Sequence, residues 1–233
     1  MKVGLLSDAH GNPVGLDACL GRLREMGVDR LYFLGDAVGY MPEPERCLRS
    51  LADAGAECQL GNHEAMLLGS IPVPEDAASA YRLDDARADL AEGREAELAA
   101  WPERRELDLD GRKVLLVHGS PDDPLQGYVY PDSDLEAFAS LPYDLVVTAN
   151  THRPFVRRSG DTVVANTGSA GMPRDVGDLV AFAVYDTRRG EVTVFRVRFD
   201  AGVVRERMTG RLHPSVDACL ARDDPEPFGE VLE

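Results

Sequence analysis

Five short polar clusters in this chain carry the residue types that do chemistry, and each follows directly on a short apolar run. Val3–Leu6 is followed by Ser7-Asp8-Ala9-His10, and Leu31–Leu34 by Gly35-Asp36-Ala37-Val38-Gly39. The run ending at Leu60 is followed by Gly61-Asn62-His63-Glu64, Val114–Val117 by His118-Gly119, and Leu145–Val147 by Thr148-Ala149-Asn150-Thr151-His152. Four of the five histidines stand in these clusters, leaving only His213 elsewhere. Carboxylates completed by imidazoles and an amide oxygen suit divalent Mn, Fe, Zn, Co or Ni, and the absence of cysteine from the clusters argues against a thiolate site. An aspartate shared by two such ions would hold them about 3.5–4 Å apart, a spacing that clamps the attacking and leaving oxygens of phosphoryl transfer.

The elements that must bring these clusters together are legible from periodicity. The apolar runs are too short for helices and read as buried strands. Between the first of them, helical spacing follows Asn12-Pro13 and again Pro42 and Pro44, the second helix closing at Gly55. This is a βαβαβ pattern, hence an α/β sheet, and in open α/β sheets the carboxyl ends of the strands converge on the site. Residues 75–100 are rich in Ala, Glu, Arg, Asp and Leu, which predicts one or two inserted helices. From residue 105 the pattern turns strand-rich: 106–109 and 112–117 joined across Asp110-Gly111, then 155–158, 162–165, 180–185 and 191–199. The tail after Asp200 reads as helical, ending in a frayed Pro/Glu-rich segment. The whole chain, 1–233, reads as a single domain with that helical insertion.

Composition removes whole classes of function. Apolar residues make up 44% and charged residues 28%, close to the globular average, and no apolar run approaches the roughly 18 residues of a membrane span. The N-terminal apolar run stops before a signal-peptide core could form, so a cytoplasmic protein is expected. Against 41 acidic residues stand 25 basic ones, a formal charge of −16, which disfavours indiscriminate nucleic-acid binding and membrane-surface attachment while leaving a local site free to take a small phosphorylated substrate. Cys19, Cys47, Cys58 and Cys219 form no CxxC pair and read as reduced core residues.

Taken together, Asp-x-His, Gly-Asp-x-x-Gly, Gly-Asn-His-Glu, a hydrophobic-His-Gly element and the final Thr-His resemble the calcineurin-like metallophosphoesterase family, from Lys2 to about Phe199. Asn166-Thr167-Gly168-Ser169-Ala170-Gly171-Met172-Pro173-Arg174 is similar to a loop of its small bacterial and archaeal phosphodiesterase-type branch, with Thr167 where that branch has proline. The resemblance implies a four-layer αββα sandwich with a dimetal site at the carboxyl ends of the strands. It places Asp8, His10 and His152 on the first ion, Asp36 as the bridge, and Asn62 and His118 on the second. His63 is similar to the general acid that protonates the leaving oxygen while a metal-bound hydroxide attacks phosphorus. Asn150 stands where the family usually has a histidine, as a weak ligand, a water-bridged neighbour or a lost one. The cofactors implied are two divalent ions, manganese first among them, with Fe, Ni, Co or Zn as alternatives and the second site weakened by Asn150.

Two classes of function follow. The first is a metal-dependent phosphoesterase, acting on a diester or a monoester, with Arg174 as a fork-shaped donor to substrate phosphate or else a structural ion pair. The second is a non-enzymatic interaction module on the same fold, against which the presence of His63 counts. The Gly-Asp-x-x-Gly element carries Ala37 and Val38 and lacks the arginine that follows it in protein serine/threonine phosphatases, which counts against a phosphoprotein substrate and favours a phosphodiesterase.

Overall fold

The computed structural model describes residues 1–232. The chain runs β1 (Lys2–Leu6), α1 (Pro13–Glu25), β2 (Arg30–Phe33), α2 (Pro44–Asp53), β3 (Glu57–Cys58) and α3 (Asn62–Leu67). Three short helices follow, α4 (Ala78–Tyr81), α5 (Leu83–Asp89) and α6 (Arg94–Ala99). The second half contains β4 (Arg104–Leu109), β5 (Arg112–Val117), β6 (Leu145–Thr148), β7 (Phe155–Ser159), β8 (Thr162–Asn166), β9 (Leu179–Asp186) and β10 (Glu191–Arg198), then α7 (Ala201–Arg207), α8 (Pro214–Leu220) and β11 (Glu230–Leu232).

These strands build two sheets, ordered β11-β10-β9-β1-β2-β3 and β4-β5-β6-β8-β7. Alternation along each strand explains how they stack. Val3 and Leu5 of β1, with Val114 and Leu116 of β5 and Leu145 and Val147 of β6, fill the layer between the sheets. The intervening Leu6, with Phe33 of β2, faces helices α1 and α2 through Leu16, Cys19, Leu23, Leu48 and Leu51. On the far side of the second sheet, Leu115, Val117, Val146 and Val164 pack under Val129, Leu135 and Phe138, the last from a 3-10 helix at Glu136–Ser140. The result is two sheets flanked by helices, the expected fold class, with a thinner cover on the second sheet.

Local chemistry accounts for the boundaries. Asn12 caps α1 by accepting from the Val14 and Gly15 amides, with Pro13 in the first turn, where its missing N–H costs nothing. His213 does the same for α8, its Nδ1 accepting from the Ser215 amide. Three expectations need correction. The insertion expected to hold one or two helices holds three, because Arg82 and Gly93 turn the chain at positive φ between them. The strand expected over 57–60 stops at Cys58, because the Leu60 amide is taken by the Pro102 carbonyl rather than by β2. The tail is not frayed throughout: residues 230–232 add a parallel strand to β10. Buried Arg196 explains why, since its guanidinium makes two bonds to Asp175, at 2.6 and 2.8 Å, and a third to the Phe228 carbonyl that leads into β11.

Candidate metal centre

The ligand-type residues leave their strands in an unusual backbone conformation. Asp8, His10, Asp36, Tyr40, Asn150 and His152 all have φ between +48° and +62°, a region that non-glycine residues seldom occupy and that persists only where surrounding structure enforces it. The enforcement is visible. The Asp8 amide donates to the Gly35 carbonyl and the His10 amide to the Asp36 carbonyl, each at 2.9 Å, so the first two clusters are laced to each other. Glu64 holds the second cluster from the other side: its carboxylate accepts from the amides of Asp36, Ala37, Val38 and Gly61 at 2.7–3.1 Å. Burial, with Asp36 nearby, pushes the Glu64 carboxyl up to about 7, against the amide donors that favour its charge.

The result is a closely packed group of buried side chains. Asp36 Oδ2 lies 3.4 Å from His118 Nε2, 3.6 Å from His10 Nε2 and 4.0 Å from His63 Nε2. Asp8 Oδ1 lies 3.3 Å from His152 Nε2 and 3.8 Å from His10 Nε2. Asn62 Oδ1 lies 3.0 Å from His118 Nε2. Asp8, His10 and His152 thus form one group, and Asp36 lies between it and the pair of His118 and Asn62.

Whether the group suits cations is decided by its protons. His10, His118 and His152 each donate Nδ1–H to a backbone carbonyl, of Val38, Leu34 and Met172, at 3.1, 2.9 and 2.6 Å. In the neutral rings the bare Nε2 lone pairs are therefore turned inward. His10 and His152 bring two of them to 3.0 Å, and Asp8 Oδ1 is buried with no hydrogen-bond partner. Such a set of acceptors repels itself until a positive charge stands among them. Burial holds His10 well below its ordinary value, Asp36 opposing, so a proton is a poor occupant there. Around His118 burial is outweighed by Asp36, which pushes the imidazole up to about 9: this position too calls for positive charge. The donor set fits borderline divalent metals.

The remaining expected residues are placed as follows. His63 is the second residue of α3; its amide donates to Asp36 Oδ1 at 2.9 Å and its Nδ1 is buried without a partner. Burial pushes this imidazole down to about 4, with Asp36 opposing and His118 reinforcing. Gly39 makes its approach possible, since a Cβ there would lie 2.3 Å from His63 Nδ1. The Asn150 amide nitrogen donates to the Gly127 carbonyl at 3.0 Å, which leaves only its Oδ1 for a cation. Arg174 follows the strap of residues 166–173; its guanidinium makes no hydrogen bond or ion pair among the described residues.

Several supporting residues were not singled out from sequence. Ser7 donates to Asp8 Oδ2 and lies 2.7 Å from the Thr167 hydroxyl, so the threonine that replaces the branch's proline supplies a polar link to a ligand. Ser169 donates to the Asp8 carbonyl at 2.7 Å, and Gly171 passes so near Ala9 that any Cβ would overlap its carbonyl. Tyr40 and Tyr81 pack on His63 with ring centroids at 4.9 and 4.4 Å. The last of these is contributed by α4, so the inserted helices wall the site.

A model of the calcineurin-like phosphoesterase superfamily domain matches residues 1–190. The crystal structure of a metallophosphoesterase from Sphaerobacter thermophilus superposes with a TM-score of 0.79 and 26% identity, over 95% of this chain and 98% of that one. A hypothetical protein from Pyrococcus horikoshii gives a TM-score of 0.83 at 21% identity, over 94% and 97% of the two chains. The sequence is also 24% identical over 223 residues to an uncharacterized protein of Methanocaldococcus jannaschii, covering 88% of this chain and 91% of the relative.

Proposed function

The chain belongs to the calcineurin-like phosphoesterase superfamily, and from that premise we propose that it is a metal-dependent phosphodiesterase acting on a small phosphorylated substrate. The observation that carries this reading is the inward set of imidazole lone pairs and carboxylate oxygens around Asp36, which needs cations to be stable. Asp8, His10 and His152 would hold one ion and Asn62 and His118 the other, with Asp36 shared. When bound, two such ions supply an activated water and neutralise charge developing on phosphate oxygens; manganese is the first candidate.

The chain's own groups do the rest. His63, against Asp36 and under Tyr40 and Tyr81, would hand a proton to a leaving oxygen. Burial lowers its affinity for protons, and the negative charge of a bound phosphate would favour the imidazolium form. Arg174, with no partner of its own, offers a guanidinium fork to a phosphate oxygen. Asn150 offers an amide oxygen where an imidazole would bind late first-row metals more strongly, so the two ions are held unequally.

Purified protein should hydrolyse bis(nitrophenyl) phosphate in Mn, and chelation should abolish turnover. His63→Ala should lower kcat on the order of 10²–10⁴-fold with metal content unchanged. A protein loaded with metal yet inert toward diesters and monoesters alike would refute the enzyme reading and favour an interaction module. Mn titration by calorimetry should resolve a tight and a looser phase, and Asn150→His should tighten the looser one; unchanged phases would place Asn150 outside the metal shell.

A further inference from the structure

Beside the metal centre, the loop that begins at His118 and Gly119 encloses a second space. A cavity of about 450 Å³ lies between this loop and the 3-10 helix at 136–140, within the size range of sites for small organic ligands. Its walls are of two kinds. Tyr128, Phe138 and Leu141 are apolar or aromatic, and Ser120, Asp122 and Asp134 offer hydroxyl and carboxylate oxygens. No Lys, Arg or His lines it among the described residues, so it is unsuited to a second phosphate.

Tyr128 lines this cavity. It is 53% exposed, an unusual state for so large a ring, and it stacks on Tyr130 with centroids 5.9 Å apart and planes within 10°. It follows Gly127, whose carbonyl accepts from Asn150 at 3.0 Å, so the chain that carries the ring is tied to the last of the five clusters. The loop that presents it is rigid. The Gly119 amide donates to the Pro124 carbonyl, those of Ser120 and Gly127 to the Asp123 carbonyl, and Asn150 clamps Gly127 from below. An exposed aromatic pair on a stiff loop is a surface made for a flat partner, because stacking needs a ring already in place.

We propose that this cavity and the outer face of Tyr128 form a nucleoside subsite, so that the substrate is a nucleotide ester: its phosphate lies at the metal centre by Arg174, its base stacks on Tyr128, and its sugar or base N–H and O–H groups donate to Asp122 and Asp134. Base–aromatic stacking supplies binding that tolerates different bases, and the two carboxylates accept from hydroxyls and ring N–H groups while repelling further phosphates. This rests on the phosphoesterase reading for the chemistry but not for the binding.

The test compares AMP with ribose 5-phosphate, which share a phosphate and sugar and differ by the base, as ligands of the Mn-loaded protein by calorimetry. AMP should bind about tenfold more tightly or better. Tyr128→Ala should abolish the difference and Tyr128→Phe preserve it. Ala137→Trp, which fills the cavity from the 3-10 helix, should also abolish it. Equal binding of the two ligands by the wild type, or a preference that survives both Tyr128→Ala and Ala137→Trp, overturns the subsite. A wild type that prefers AMP through Tyr128 but hydrolyses no ester refutes the proposed enzyme while leaving the subsite standing.

Discussion

Glu64 shows how much of a site can rest on a residue that touches no reacting atom. One carboxylate satisfies three successive amides of the Asp36 loop and the Gly61 amide, and so sets where the bridging Asp36 stands. Glu64→Gln keeps the shape but turns an amide N–H₂ toward backbone donors. The expected loss of stability is roughly 2–3 kcal/mol, read by urea unfolding of the metal-free protein, together with weaker Mn binding; an unchanged midpoint would show that the loop holds itself. That these side chains gather at one place was legible in the sequence because each cluster directly follows a short apolar run, so strand and cluster announce one another. The residues that hold them were not. Ser7 meets Thr167, and Glu64 meets residues 36–38, only because loops distant in sequence meet in space, and no local pattern encodes that meeting.

At the level of elements, Glu45 in α2 ties the first βαβ unit to the inserted helices. Its carboxylate accepts from Arg94 Nε at 3.0 Å, Arg49 Nε at 2.8 Å and the Ala91 amide at 3.1 Å. Burial opposes its charge, but these donors prevail and hold the carboxyl down at about 2. The folded value lies below the unfolded one, so the stability it confers is present above about pH 4.5 and is lost as pH falls toward 2. Glu45→Gln should therefore cost about 1–2 kcal/mol at pH 7, and the gap to wild type should close between pH 4.5 and 2 in denaturant titrations; a gap independent of pH would mean that the carboxylate charge plays no part. Strands were legible from the length of their apolar runs, and turns such as Asp110-Gly111 from their chemistry. β11 was not, because Glu230–Leu232 is too short and too polar to show a period, and it becomes a strand only through β10 and the Arg196 bond to the Phe228 carbonyl.

For the molecule as a whole, a formal charge of −16 surrounds a site that must admit an anion. Long-range repulsion slows encounter and is screened by salt. The kcat/KM for an anionic ester should accordingly rise as ionic strength increases from about 10 to 150 mM, where the Debye length shrinks from roughly 30 to 8 Å; a fall would show that the local field of Arg174 and the ions governs approach. The sheet order bears on a different stage of the protein's life. β1 lies between β2 and β9, and its antiparallel neighbour spans 179–186. At roughly 5–20 residues per second that partner arrives some 10–40 s later. His152 and the strap of residues 166–173 are made within the same interval, so Asp8, His10 and Asp36 wait through it for their remaining neighbours. Assembly of the proposed metal site is thereby tied to the moment when that distant stretch of chain is made.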